Sequence, residues 1–434
     1  MRKLGLFLLA IIVVIILVIS SFACTPQQPQ KASEISLGAV QSLTGMYAQI
    51  GTGDSFGQKA AVEDINKQGG LNVGGTKMLV KLKTLDDESD PLKKASLYES
   101  LILEDKVQFM VGGGPPPTHV GASSVADRYK VIYAMCPAPY EPWLAMRQET
   151  ESKWPYTWAM GFAIAASQEP GYSVTGVWMD VLMQIADQTN KKMAFLATDD
   201  PDGRSWYMGL GPVLKQLGFE VVGFDNNVGL LPMETNDFSS VIKAWKDNDC
   251  QILWVACPAQ FFGTAWKQCH SLGFKPKQVC TSRAAMFYED VNAWGGDLAN
   301  GIMNEVYWHP SFQNCPGIGG QTPASLDEKW IKETGQQSHL GTGPGYRTIQ
   351  TLADAIERAG SLDTEKVMAA LAVTDLKTID GRVKFNENQF SIGPIAMGQW
   401  FKTDKPHKWE LEIINSKHSD IPATAKPLFP IPYD

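Results

Sequence analysis

Histidine is scarce in this 434-residue chain, with 6 scattered copies, and the pair Cys269-His270 is too little for a metal site. No Gly-x-Ser-x-Gly elbow and no His-Glu-x-x-His helix is present, so the common signatures of exported hydrolases are missing. Gly74-Gly75-Thr76-Lys77 lacks the order of a phosphate loop, because no Ser or Thr follows the lysine. Gly341-Thr342-Gly343-Pro344-Gly345 follows no convincing strand, which weakens a dinucleotide reading. Basic excess is also missing. The net charge is −8, which gives no electrostatic footprint for nucleic acid and no polybasic lipid-binding segment. Beyond the head of the chain no apolar run is long enough to span a bilayer. No solenoid-type repeat is visible. No catalytic residue, cofactor, metal or nucleic-acid partner is expected.

What is present begins with that head. Met1-Arg2-Lys3 is basic, Leu4 to Ile19 is almost wholly apolar, and Ser21-Phe22-Ala23 leads to Cys24. This resembles a lipoprotein signal in which residues 1–23 are removed and Cys24 becomes the lipidated N-terminus. The run is long for a signal, so an uncleaved anchor is the other reading. Both place the folded part outside the cytoplasmic membrane. Residues 24–34 form a polar, Pro-containing tether. Of 7 cysteines, six remain after Cys24, an even number that permits disulfides or buried thiols.

The body alternates strand and helix patterns. An apolar strand at Ile35 to Val40 leads through a small polar loop to a helix over Asp54 to Gln68. The same rhythm recurs through both halves and predicts α/β architecture with parallel, doubly wound sheets. It breaks at Pro137 to Trp158, a Pro-, Trp- and Tyr-rich stretch read as an elaborated loop.

Three separated motifs stand out. One is Leu43-Thr44-Gly45-x-x-Ala48-x-x-Gly51 followed by Ala61-Val62-Glu63-Asp64-Ile65-Asn66-x-x-Gly69-Gly70. The others are Asp86-Asp87-Glu88-Ser89-Asp90-Pro91 and Thr235-Asn236-Asp237-Phe238-Ser239. Together, and in this order, they resemble the branched-chain amino-acid-binding family, the type I solute-binding proteins of ABC importers. The resemblance runs from about Ile35 to about Glu412. It implies two doubly wound lobes joined by a three-stranded hinge, with a ligand cleft between them at the carboxyl ends of the strands. The lobes are expected at residues 35–157 with 311–384 and at 158–310 with 385–421, followed by a Pro-rich tail at 422–434. The implied activity is capture of a small solute by a monomer, for delivery to ABC permease subunits from a lipid-anchored position. A receptor module feeding a separate signalling protein is the alternative.

The resemblance also carries over site residues. Tyr47 and Ile50 lie in the first polar loop. Gly114, Pro116 and Thr118 lie where the family holds its ligand carboxylate with small hydroxylated residues. Ala138 and Tyr140 match a loop that offers a backbone amide and a hydroxyl. Trp206 and Phe261 are aromatic groups beside second-lobe loops, and Trp143, Tyr207 and Phe262 fall near them. Asp202 replaces a tyrosine common in the family. Arg283 stands near the position of an acidic residue that pairs with the ligand ammonium. A cation there reverses the expected charge and can hold a carboxylate bidentately. Equally, Arg283 can be a surface residue paired with Glu289 or Asp290. The expected solute is thus an amino acid, or a carboxylate with an apolar or aromatic body.

Overall fold

The computed structural model describes residues 34–167, 169–405 and 407–433. The signal segment, Cys24 and nearly all of the tether lie outside the described residues. Among those described, no helix is long and apolar enough to cross a membrane.

The first lobe opens with β1 (Glu34–Gln41), α1 (Ala48–Lys67), β2 (Leu71–Val73), β3 (Thr76–Asp86), α2 (Pro91–Leu103) and β4 (Phe109–Gly112). A 3-10 turn at Pro116–Thr118 leads to α3 (His119–Tyr129), then β5 (Tyr133–Met135), α4 (Tyr140–Gln148) and β6 (Thr157–Gly161). The chain then builds a second lobe from α5 (Val174–Ile185), β7 (Lys192–Thr198), α6 (Pro201–Gln216), β8 (Glu220–Val221) and β9 (Leu230–Leu231). That lobe continues with α7 (Ser239–Asp247), β10 (Ile252–Ala256), α8 (Ala259–Ser271), β11 (Gln278–Ser282), α9 (Tyr288–Ala293) and β12 (Met303–Val306). The chain returns to the first lobe through α10 (Pro323–Thr334), α11 (Thr342–Ala359), α12 (Thr364–Ala372), the hairpin β13 (Asp375–Thr378) and β14 (Gly381–Lys384), and β15 (Phe390–Ile392). It ends in the second lobe with β16 (Ala396–Lys402) and β17 (Trp409–Asn415).

Two sheets result. The first has the order β15-β6-β5-β4-β1-β3-β2, and the second β17-β16-β12-β11-β10-β7-β8, with β9 also on β7. Both are parallel through the middle, and antiparallel partners occur only towards one edge. Parallel strands covered by helices on both faces are buried all along, as β4 and β10 are here. The expected α/β, two-lobed fold is therefore present. Its boundaries fall a few residues later than expected. β6 and β15 both belong to the first sheet, so the chain leaves that lobe after Gly161 rather than at 157, and re-enters the second after Ile392 rather than at 385. The Pro-rich tail is not loose: Leu428 N–H donates to Gln399 Oε1 (2.7 Å), and Ile431 is buried.

Two local differences have physical causes. The helix expected from Asp54 begins at Ala48, because the small residues of its first turns lie flat against neighbouring backbone; a Cβ on Gly51 would sit 2.1 Å from Ser42 O. The stretch expected to be a loop contains α4. Pro142 falls in its first turn, where a missing N–H costs nothing, and Trp143 packs against Trp154 and Phe390. The six cysteines from Cys136 to Cys315 are free, buried thiols.

Candidate functional site

Between the lobes lies a cavity of about 280 Å³. Its first-lobe wall comes from the loops after β1, β4 and β5. Its second-lobe wall comes from the residues after β7, β10 and β11, with Glu305 and Tyr307 from the β12 crossing. All of these strand ends are carboxyl ends, the usual ligand position in open α/β sheets.

Seven of the ten expected residues line it: Tyr47, Ile50, Gly114, Pro116, Trp206, Phe261 and Arg283. Thr118, Ala138 and Tyr140 do not. The Thr118 hydroxyl donates to Pro115 O (2.8 Å), while the N–H groups of Thr118 and His119 donate to Pro115 O and Pro116 O inside the turn. Ala138 is buried under its own loop, where its carbonyl accepts from Phe162 N–H (3.3 Å). The Tyr140 hydroxyl accepts from Asn388 Nδ2 (2.8 Å), and its ring packs on Phe390. The other aromatic candidates are structural: Tyr207 stacks on Phe224 and Phe262 on Trp266.

Arg283 has partners that neither sequence reading proposed. Its Nη1 lies 3.2 Å from Asp200 Oδ2, its Nε lies 3.2 Å from Asp202 Oδ2, and Nη1 also donates to Thr198 Oγ1 (3.3 Å). Local structure puts all three there. Asp200 caps α6, accepting from Asp202 N and Gly203 N (both 3.0 Å), with Pro201 at the first helical position. Arg283 itself follows β11 with φ +70°, a left-handed conformation that costs a non-glycine residue about 1 kcal/mol or more and turns its side chain towards α6.

The electrostatics follow from this pairing. Burial raises the Asp200 carboxyl, but Arg283, the Thr198 hydroxyl and the Gly203 N–H outweigh it and hold the group below its ordinary value. Asp202, more deeply buried, is pushed up to about 6 in spite of Arg283. Burial also pushes Glu305 up to about 8, against the hydrogen bond from Ser282 Oγ (2.8 Å), and pushes Asp290 up to about 7 with help from Glu289. Glu305 Oε2 and the Tyr307 hydroxyl have no hydrogen-bond partner among the described residues, although both groups are buried in the cavity wall.

Sequence reading missed Asp290, Glu305, Tyr307, Phe162 and Phe287 as wall residues. One signal was available: Glu305 is an acid between the apolar pairs Ile302-Met303 and Val306-Tyr307, and period-2 spacing puts Glu305 and Tyr307 on one side of the strand. No group of three or more metal-ligating side chains occurs among the described residues.

A model described as periplasmic binding protein matches residues 34–405. The chain belongs to that family, in its type I branched-chain amino-acid-binding class. Among its relatives is the leucine-, isoleucine-, valine-, threonine- and alanine-binding protein of Pseudomonas aeruginosa, 23% identical over 82% of this chain and 87% of the relative. Its fold is shared by a leucine-binding protein of Thermotoga maritima (TM-score 0.68, 17% identity, covering 88% of this chain and 99% of the other). It is shared too by a solute-binding protein of an ABC transporter from Rhodopseudomonas palustris, solved with 3,4-dihydroxybenzoic acid (TM-score 0.67, 20% identity, covering 90% and 99%).

Proposed function

We propose that this protein is the extracytoplasmic solute-binding lipoprotein of an ABC importer. It is anchored through Cys24, captures a small organic solute with an apolar or aromatic body between its lobes, and presents the closed form to permease subunits. The observation that carries this reading is the inter-lobe cavity, walled by rings from both lobes with a few convergent polar groups. The ligands of two similar proteins, amino acids in one case and an aromatic acid in the other, are of a size and character that such a cavity accepts. Recognition of a carboxylate by Arg283 would require displacing Asp200 or Asp202 from the guanidinium.

A thermal-shift screen of the full chain in detergent tests the reading, using amino acids, aromatic and aliphatic carboxylates, amides and amines. A ligand that binds only the folded state raises Tm by mass action. A saturable shift with one small solute supports capture. If no small solute of any class shifts Tm, the reading fails.

A further inference from the structure

The two walls of the cavity differ in what they offer a ligand. On the first lobe, Gly114, Pro115, Pro116, Pro137 and Pro139 face it. Proline has no N–H, and the hydroxyl of Thr118 and the N–H groups of Thr118 and His119 are already used within their own turn. This proline-lined part of the wall thus offers a carboxylate no donor array, and the Tyr47 hydroxyl and the Gln49 amide are the side-chain donors the first lobe adds to the lining.

On the second lobe the balance of charge is acidic. Asp202, Asp290 and Glu305 line the cavity and Arg283 is the cation among its lining residues. Arg283 is held by Asp202 and by Asp200 behind it, so its charge is answered before any ligand arrives. Glu305 Oε2 and the Tyr307 hydroxyl are buried in this wall without partners; Glu305 is 1% exposed and Tyr307 5%. An unpartnered carboxyl oxygen and a phenol oxygen side by side on one crossing strand accept hydrogen bonds or face a positive charge. Phe162, Trp206, Phe261 and Phe287 add aromatic rings to the lining, and the quadrupole of such a ring attracts a cation over its face.

We propose that the cavity selects an organic cation that lacks a carboxylate, a protonated or quaternary amine on an apolar body, with Glu305 as its counter-charge. This inference rests on the solute-capture reading above and narrows its ligand. A cation arriving beside Glu305 favours the ionised form of that buried carboxyl, and the opposite charge so formed, with the nearby rings, compensates the cation for its lost hydration, whereas a carboxylate would meet Asp202, Asp290 and Glu305 and a row of prolines.

The test is calorimetric titration of the full chain in detergent with matched probes: phenethylamine and benzyltrimethylammonium against benzoate, phenylacetamide and phenylalanine. The amines are expected to bind about tenfold or more tightly than the benzoate, amide and amino-acid probes. Glu305→Gln is expected to reduce amine affinity about tenfold and to leave phenylacetamide binding within about twofold. Tyr307→Phe provides a second variant, expected to weaken phenethylamine but not the quaternary probe, which has no proton to donate. Tighter binding of benzoate or phenylalanine, or equal binding of all probes, overturns the cation inference while leaving solute capture standing. Absence of amine binding overturns it as well, and the broad screen above then decides separately whether the protein captures solutes.

Discussion

Arg283 gains its meaning from residues some eighty positions away in the chain. Asp200 and Asp202 hold its fork at 3.2 Å each, and the side chains are largely buried. Removing the cation strands two carboxylates in the cleft wall. Arg283→Met is therefore expected to cost about 3 kcal/mol, read from urea denaturation at pH 7, and to lose less at pH 4, where the stranded acids take up protons. Glu305 behaves oppositely. Its folded-state value of about 8 lies above the ordinary 4.5, so the folded protein keeps a proton that the unfolded chain releases between those values. The stability this supplies is whole below pH 4.5 and fades as pH rises to 8. Glu305→Gln removes the slope, and at pH 8 the variant is expected to exceed the parent by on the order of 3 kcal/mol, with little difference at pH 4. Neither pairing could be read from local sequence. The residue types in the first loop and at Trp206 could, because helix starts and strand ends mark where a cleft faces. Arg283 was visible as an oddity of charge, but its partners depend on how α6 meets β11.

At the scale of elements, periodicity made β1, β4, β7 and β10 readable, since a parallel strand buried on both faces is a short apolar run between turn residues, whereas β3 alternates buried and exposed positions. α4 was hidden because proline and tryptophan suggest a break unless the proline lies in a helix's first turn. The early start of α1 was hidden because its glycines serve packing that is visible only in three dimensions. Gly57 is one: a Cβ there would sit 2.0 Å from Thr342 O and 2.6 Å from Tyr346 N on α11. Those are backbone atoms, so the helices must separate. Gly57→Ala is expected to destabilise by about 3 kcal/mol in denaturant titration. Gly209, in the exposed face of α6 with open space where its Cβ would be, gives the contrasting outcome: Gly209→Ala is expected to stabilise by about 0.5–1 kcal/mol.

For the molecule as a whole, groups from opposite lobes meet beside the cavity. Phe287 of the second lobe stacks on His339 of the first, with centroids 4.4 Å apart and planes 22° from parallel. Burial holds His339 down at about 3, so the ring stays neutral and the stack persists across ordinary pH. Phe287→Ala removes this contact, and small-angle scattering of the unliganded variant is expected to show a larger radius of gyration than the parent at both pH 6 and pH 8. Redox conditions matter less. With six free, buried thiols from Cys136 to Cys315, dithiothreitol is expected to leave Tm unchanged. A lowered Tm would reveal a cross-link.

The run Pro115-Pro116-Pro117 and the pair Pro137 and Pro139 give the first lobe an interior surface whose shape is settled before any guest arrives. Such a shelf loses little entropy when it is occupied, but it has few ways to adapt. A change of cargo, whether by natural drift or in the making of a biosensor, would therefore run through the opposite jaw. There Asp202, Asp290, Glu305 and Tyr307 can be exchanged one at a time against an unchanging template.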